Sequence, residues 1–367
     1  MALIHHDARD YDAAASEAVR FARAKFEKQI EKGAGTTAQA VEKLFTEVPI
    51  DALAPVPKLE FEAKKERNTV ELNVPGIGPL ALTDWSFGQM AEQLKTPARF
   101  ARELAAREDW GAEALADLWN EIGSHTQKKV LLRRVGEQVR GVLSDKFGRK
   151  DGRPIVESFL QVMKELGAVA VGGTFTETRF NIQFMSTTIH QPVGDEVIAF
   201  GAQISGSDYG RGAIDISGLV DRLWCTNLAT MRSELRSVHI GPRITEAILL
   251  SEETERHDLA ALRSAVKDVA RYTFGPAQAE YLAAVKKAAE EKLSANEVRN
   301  LLTKTLDTKA EVEAAELLFA SAEIEQLPPG QNTWRLSNVL SLLARDTVDS
   351  EQRIDYERAA GKLLKVA

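Results

Sequence analysis

The sequence predicts an α+β protein: an antiparallel β-sheet core at about residues 128–226, with flanking helices and a helical C-terminal part. Three observations predict it. Short runs between 128 and 226 alternate with a period of two; in RFNIQFM, Phe180, Ile182 and Phe184 share one face and Arg179, Asn181 and Gln183 the other. On either side of that region apolar residues recur at helical spacing. Gly136–Glu137 supplies a two-residue turn between KKVLLRRV and QVRGVLSDKF, with glycine at the first position as a tight hairpin needs.

The elements follow in chain order. Residues 11–32 are alanine-rich with alternating charge and predict a helix that Gly33 and Gly35 stop, within an N-terminal helical extension of 1–45. Residues 46–80 hold Pro49, Pro55, Pro57, Pro75 and Pro79 around LEFEA and TVELNV, and predict a linker or an edge hairpin. In LTDWSFGQMAEQLKTPARFAREL, Thr83 or Asp84 caps a first helix and Pro97 opens a second. The hairpin, the helix GRPIVESFLQVMKELG and three or four further strands complete a core that spans 46–243. NLATMRSELRSVHIG reads as a helix. Residues 244–326 are helical, with Ser294 and Glu297 forming a capping box. LPPG breaks that pattern at 327–330, and a last helical pair fills 327–367.

Composition bounds the function. Of 367 residues, 44% are hydrophobic and 28% charged, enough for a core that needs neither disulfide nor metal. A single cysteine, Cys225, allows no internal disulfide and suits a reducing compartment. No signal peptide is evident, and no apolar run approaches the roughly 20 residues that span a bilayer. A cytoplasmic location and no membrane partner are expected. The net charge of −7 argues against a general coat for polyanions but leaves room for a local basic groove.

Such a concentration of cations exists. From His125 to Arg153 the chain carries nine basic residues and three acidic ones, a local +6. With a two-residue turn, Arg133 lies opposite Arg140, on the face of Leu131 and Val142. Like charges so placed repel, and call for water, a carboxylate or an anionic ligand between them. A polar, cationic sheet face suits a nucleic-acid backbone. The candidate contacts are Arg133, Arg140, Lys146, Arg149, Lys150, Arg179 and Arg211. Base stacking would need aromatics on that face; Phe147, Phe175 and Tyr209 are available, but the pattern does not place them there, and Tyr209 and Arg211 fall at the exposed tip of the GSDYGRG loop. The plainer reading is a hairpin neutralised by the chain's own carboxylates.

Catalytic patterns are thin. His5, His6, His125, His190, His239 and His257 show no metal-binding spacing, and no metal or other cofactor is expected. Cys225, between Leu223–Trp224 and Thr226, has the surroundings of a small buried hydrophobe. Asp145, Asp151 and Glu157 are the carboxylates that would hold Mg²⁺ in a nuclease, although turn roles suit the first two. VPGIGPL and GSDYGRG lack the phosphate-loop and dinucleotide spacings.

Three separated stretches, LTDWSFGQMAEQLKTPARFAREL, VRGVLSDKFGRKDG and ISGSDYGRGAIDISGLVDRLWCTN, with the tail pieces NTWRLSNVLSLLARD and YERAAGKLL, resemble a family of phage- and plasmid-borne proteins known as domain of unknown function 932. Phe147–Gly148–Arg149 and Asn227–Leu228 depart from that family's pattern. The resemblance implies a mobile-element context in a bacterial host, with DNA-metabolism neighbours. The expectation is therefore a non-enzymatic nucleic-acid-binding protein, with single-stranded DNA favoured as partner and annealing in recombination as its setting. A metal-dependent nuclease or hydrolase is the alternative, and a host-interaction or inhibitor protein the second. Self-association into a homo-oligomer is compatible with each.

Overall fold

The computed structural model describes residues 17–64, 69–108, 110–148, 150–223, 227–237, 251–321 and 327–364. Arg149, Cys225, His5, His6 and His239 lie outside them. The α+β class holds, but the strands divide between two sheets.

The first sheet has the order β1-β5-β6-β4-β3-β2, built from β1 (Ile50–Pro55), β2 (Glu60–Lys64), β3 (Thr69–Val74), β4 (Gly78–Leu82), β5 (Lys129–Val135) and β6 (Gln138–Ser144). All its neighbours are antiparallel except the short parallel pair β4–β6. In the proline-rich segment 46–80, LEFEA and TVELNV pair as an edge hairpin, β2–β3, and the rest is no linker. The segment supplies four strands, and the prolines fall where they cost little: Pro55 at the end of an edge strand and Pro79 at a strand start. Helices α2 (Asp84–Gln93), α3 (Ala98–Ala105) and α4 (Gly111–Ser124) follow β4. Thr83 caps α2 through the Ser86 amide, and Trp119 of α4 fills the core edge-on to Phe61 at 5.3 Å.

The second sheet, fully antiparallel, has the order β11-β10-β9-β8-β7, with β7 (Val169–Phe175), β8 (Phe180–His190), β9 (Ile198–Gly206), β10 (Ile214–Arg222) and β11 (Asn227–Ser237). The stretch expected to be helical at 227–241 is therefore strand β11 through Ser237. Two bulges in its pairing with β10 blur the period-two pattern, and pairing overrides a helix-favouring composition. The face of Phe180, Ile182, Ile204 and Ile216 packs on α5 (Gly152–Glu165) and α6 (Glu252–Phe274).

The opposite face is covered twice. Ala22 and Phe26 of α1 (Glu17–Thr46) cover Met185, Ala199 and Leu219. Helix α11 (Ser350–Leu363) crosses the remainder, close enough to β11 that a Cβ on Gly361 would overlap the Thr230 carbonyl. Helices α7 (Ala277–Glu290), α8 (Ala295–Thr305), α9 (Lys309–Ala320) and α10 (Thr333–Asp346) share a core with Phe200 and Val220 of this sheet. Ser294 and Glu297 form the expected capping box of α8. Among the described residues no helix is long and apolar enough to cross a membrane.

Helix α1 runs through Gly33 and Gly35 instead of ending there. A Cβ on Gly33 would lie 2.3 Å from the Val171 carbonyl carbon, and one on Gly173 would lie 2.5 Å from the Thr37 Cα. The glycines let helix and strand backbones touch, and that packing offsets their poor helix propensity.

Candidate nucleic-acid interface

The hairpin of β5 and β6 does not have the simple register. Arg134 pairs with Val139, but Arg133 pairs with Gly141, and the shift makes Arg140 the extra residue of a bulge. The expected opposition of Arg133 and Arg140 is absent. Tyr209 sits against Gly141, 3.3 Å from where a Cβ would be.

The counter-charges come from the chain itself. Arg133 is 1% exposed; its Nε donates to Asp51 Oδ1 at 2.8 Å, Nη2 to Asp151 Oδ1 at 2.5 Å and Nη1 to the Asp208 carbonyl at 2.8 Å. Asp51 is its cross-strand partner on β1, Asp151 precedes α5, and Asp208 lies in the β9–β10 loop. Burial disfavours the charged guanidinium, yet Asp151, Asp51 and Asp208 hold its pKa above the ordinary arginine value. The Asp208 carboxyl accepts from the Gly152 amide at 2.8 Å, and burial, with Asp151 nearby, pushes it up to about 6. Tyr209 is buried, not exposed at a loop tip, and its carbonyl accepts from Trp85 Nε1 and Gln89 Nε2. This cluster joins the two sheets.

The other candidates divide in the same way. Arg140 pairs with Glu47 at 2.5 Å, and Lys150 with Asp258 at 3.3 Å. Lys146 is exposed in the turn after β6. Arg179 and Arg211 lie on the second sheet's side, both facing Glu351 of α11, at 2.9 and 3.6 Å, and Arg179 Nε donates to the Arg211 carbonyl. Arg211 also covers the Trp85 ring at 4.9 Å. The structure thus brings Arg179 and Arg211 together.

The carboxylates of the nuclease alternative serve elsewhere. Asp151 holds Arg133, Glu157 pairs with Arg263 of α6 at 3.1 Å, and Asp145 is exposed in a turn. Among the described residues no three His, Cys, Asp or Glu side chains form a group that could hold a metal.

The polar face of the second sheet is the more developed site. Register aligns Asn181 with Ser205 and Asp215, and Gln183 with Gln203 and Ser217, in two rows across three strands. Gln183 Nε2 donates to Gln203 Oε1 at 3.3 Å and to Glu357 Oε2 at 3.0 Å, and Gln203 Nε2 to Thr230 Oγ1 at 3.1 Å. Arg358 reaches Ser205 Oγ at 3.0 Å. Burial pushes the Glu357 carboxyl up to about 7.

A cleft opens on each side of α11. The larger, about 710 Å³, is lined by Arg179, Arg211, Ser205, Asp215, Arg358 and Lys362. The smaller, about 520 Å³, lies between α1, β7–β8 and α10–α11, with Lys28, Lys32, Gln29, Asn181, Gln183 and Arg353 in its walls. Both volumes fall in the range of ligand pockets. Lys28, Lys32 and Lys362 are exposed, with no ion pair to a carboxylate among the described residues, whereas Arg358 is half-buried, donates to Ser205 and interacts with the Glu357 carboxylate beside it. Sequence reasoning passed over these cations and over Gln203 and Ser205. The signals were present: Lys25, Lys28 and Lys32 form one stripe of a helix, as do Arg358 and Lys362, and Gln203 and Ser205 alternate on a strand.

Comparison of the chain with family models, with curated proteins and with solved structures gave no match.

Proposed function

We propose that this protein binds nucleic acid without catalysis, with single-stranded DNA the favoured ligand, and that the strand follows the two clefts beside α11. One observation carries the reading. Exposed lysines without carboxylate partners, Lys28 and Lys32 on one side and Lys362 on the other, flank a recessed row of amide and hydroxyl side chains. Unpaired surface cations attract phosphates, and recessed amides suit bases turned out of a stack. A duplex keeps its bases paired away from such a recess, so a single strand fits better. Arg133, Arg140 and Arg179 drop out of the contact set because carboxylates of the chain already hold them; Arg211, more loosely placed at 3.6 Å from Glu351, remains at the edge of the larger cleft. The resemblance to domain of unknown function 932, with its mobile-element setting, belongs to the same proposal, as does a role in strand annealing.

The test is titration of a fluorescent single-stranded oligonucleotide at several salt concentrations. Affinity should fall steeply with salt, and the triple change Lys28→Ala, Lys32→Ala, Lys362→Ala should reduce the log–log slope by about 2, at roughly 0.7 per lost single-strand phosphate contact. Lys146→Ala, in the turn after β6, should leave the slope nearly unchanged. Binding that is absent at low salt, or a slope that the triple change leaves intact, would refute the assignment.

A further inference from the structure

The smaller cleft contains a feature that phosphate attraction does not explain. Asn181 is only 4% exposed and lines the cavity, yet its Oδ1 has no hydrogen-bond partner among the described residues. A buried amide oxygen left unpaired forfeits its hydration without compensation, so such groups are normally satisfied. Its neighbour on the same strand face, Gln183, donates through Nε2 to Gln203 and Glu357, which fixes one wall. Gln29 forms the facing wall, and its Oε1 is unpaired as well. The cavity floor is the Gly172–Gly173 stretch of β7, where no side chain projects. Lys28 and Lys32 stand at the rim, one helical turn apart on α1.

We propose that this cleft is a base-selecting pocket for an adenine nucleotide, with Asn181 reading the base edge and Lys28 and Lys32 taking the phosphate. The inference rests on the reading of the clefts as a nucleic-acid site and adds to it a chemical preference. An asparagine amide matches adenine in two bonds: Oδ1 accepts from the exocyclic amino group, and Nδ2 donates to a ring nitrogen. Thymine and uracil carry a carbonyl where adenine carries that amino group, and would face Oδ1 with a second acceptor. The adenine could come from a free nucleotide or from one unit of a strand, and the chemistry of recognition is the same.

The experiment uses the full chain and compares oligo(dA), oligo(dT), AMP and UMP by fluorescence anisotropy and competition. The proposal expects oligo(dA) over oligo(dT), and AMP over UMP, by about 5- to 100-fold, the discrimination of one bidentate pair. Asn181→Ala should lower oligo(dA) and AMP affinity to the level of oligo(dT) and UMP, erasing the preference; a merely structural defect would lower all four and keep their ratio. Should Asn181→Ala fail to fold, Lys28→Ala with Lys32→Ala, both exposed, should weaken AMP binding at least fivefold. Equal binding of oligo(dA) and oligo(dT) overturns the pocket and leaves strand binding standing. AMP binding without any oligonucleotide binding supports the pocket and overturns the strand reading. Binding of neither overturns both.

Discussion

Asp221 of β10 is fully buried, and neither of its carboxyl oxygens has a hydrogen-bond partner among the described residues. Burial pushes its pKa up to about 7, with Gln29 beside it pulling weakly the other way. The folded protein therefore holds this proton between about pH 4 and 7, while the unfolded chain releases it near its ordinary value of about 4. The stability this group contributes is present below pH 4 and is lost as the pH rises through 7. Asp221→Asn removes the titration at nearly unchanged side-chain shape. The variant should gain roughly 2–4 kcal/mol on wild type between pH 4 and pH 8, read from denaturant midpoints at each pH. A difference that does not change with pH would show that Asp221 is not held protonated. None of this was legible in the sequence, where DISGLVDR shows an acid on a strand but not what lies over it. The Arg133 problem was half legible. The local +6 implied a counter-charge, and only the bulge at Arg140 and the arrival of Asp51 and Asp208 from distant segments decided which.

At the scale of elements, the hairpin, the capped helices α2 and α8 and the alternation of β8 could be read directly, because their signals are local. The errors arose where a contact elsewhere in the chain overrides a local rule. Glycine at 33 signals a helix stop in isolation; packed on Val171 it is what allows the helix to pass. The two glycines of α1 thus make opposite predictions. Gly33→Ala should destabilise the protein by about 1–3 kcal/mol, since the new methyl meets strand backbone that cannot yield. Gly35→Ala faces open space and should stabilise by about 0.4–1 kcal/mol. Thermal melts of the two variants check both signs, and matching shifts would mean that α1 does not lie on β7 as described. In segment 46–80 the edge hairpin was legible, but β1 and β4 were not, because they find their neighbours in β5 and β6, which come much later.

Across the whole molecule, the two sheets meet through few contacts, and the loop between β9 and β10 carries much of the connection. Arg133 belongs to the first sheet, Asp208 and Tyr209 to the second, and Asp151 to the helix beneath it. Arg133→Met leaves Asp51, Asp151 and Asp208 facing one another without a cation. It should cost about 3–5 kcal/mol at pH 7, as breaking a buried pair does, and adding Asp208→Asn should recover part of that. Denaturant titration followed by far-ultraviolet dichroism measures both; a loss under 1 kcal/mol would mean that the cluster does not tie the sheets. The two-sheet division itself was hidden from sequence reading, because strands of both sheets alternate in the same way and only their partners differ.

The cover of the second sheet arrives late. A long stretch of chain, from Ser237 to Ser350, separates the end of β11 from the start of α11, and at usual elongation rates a ribosome needs roughly 6–20 s to make it. Through that interval the face of Asn181, Gln183, Gln203 and Ser205 has no α11 above it. An apolar face left open for so long would invite aggregation. Amide and hydroxyl side chains can stay hydrated instead, so the composition that suits this face to a polar ligand also protects the nascent chain.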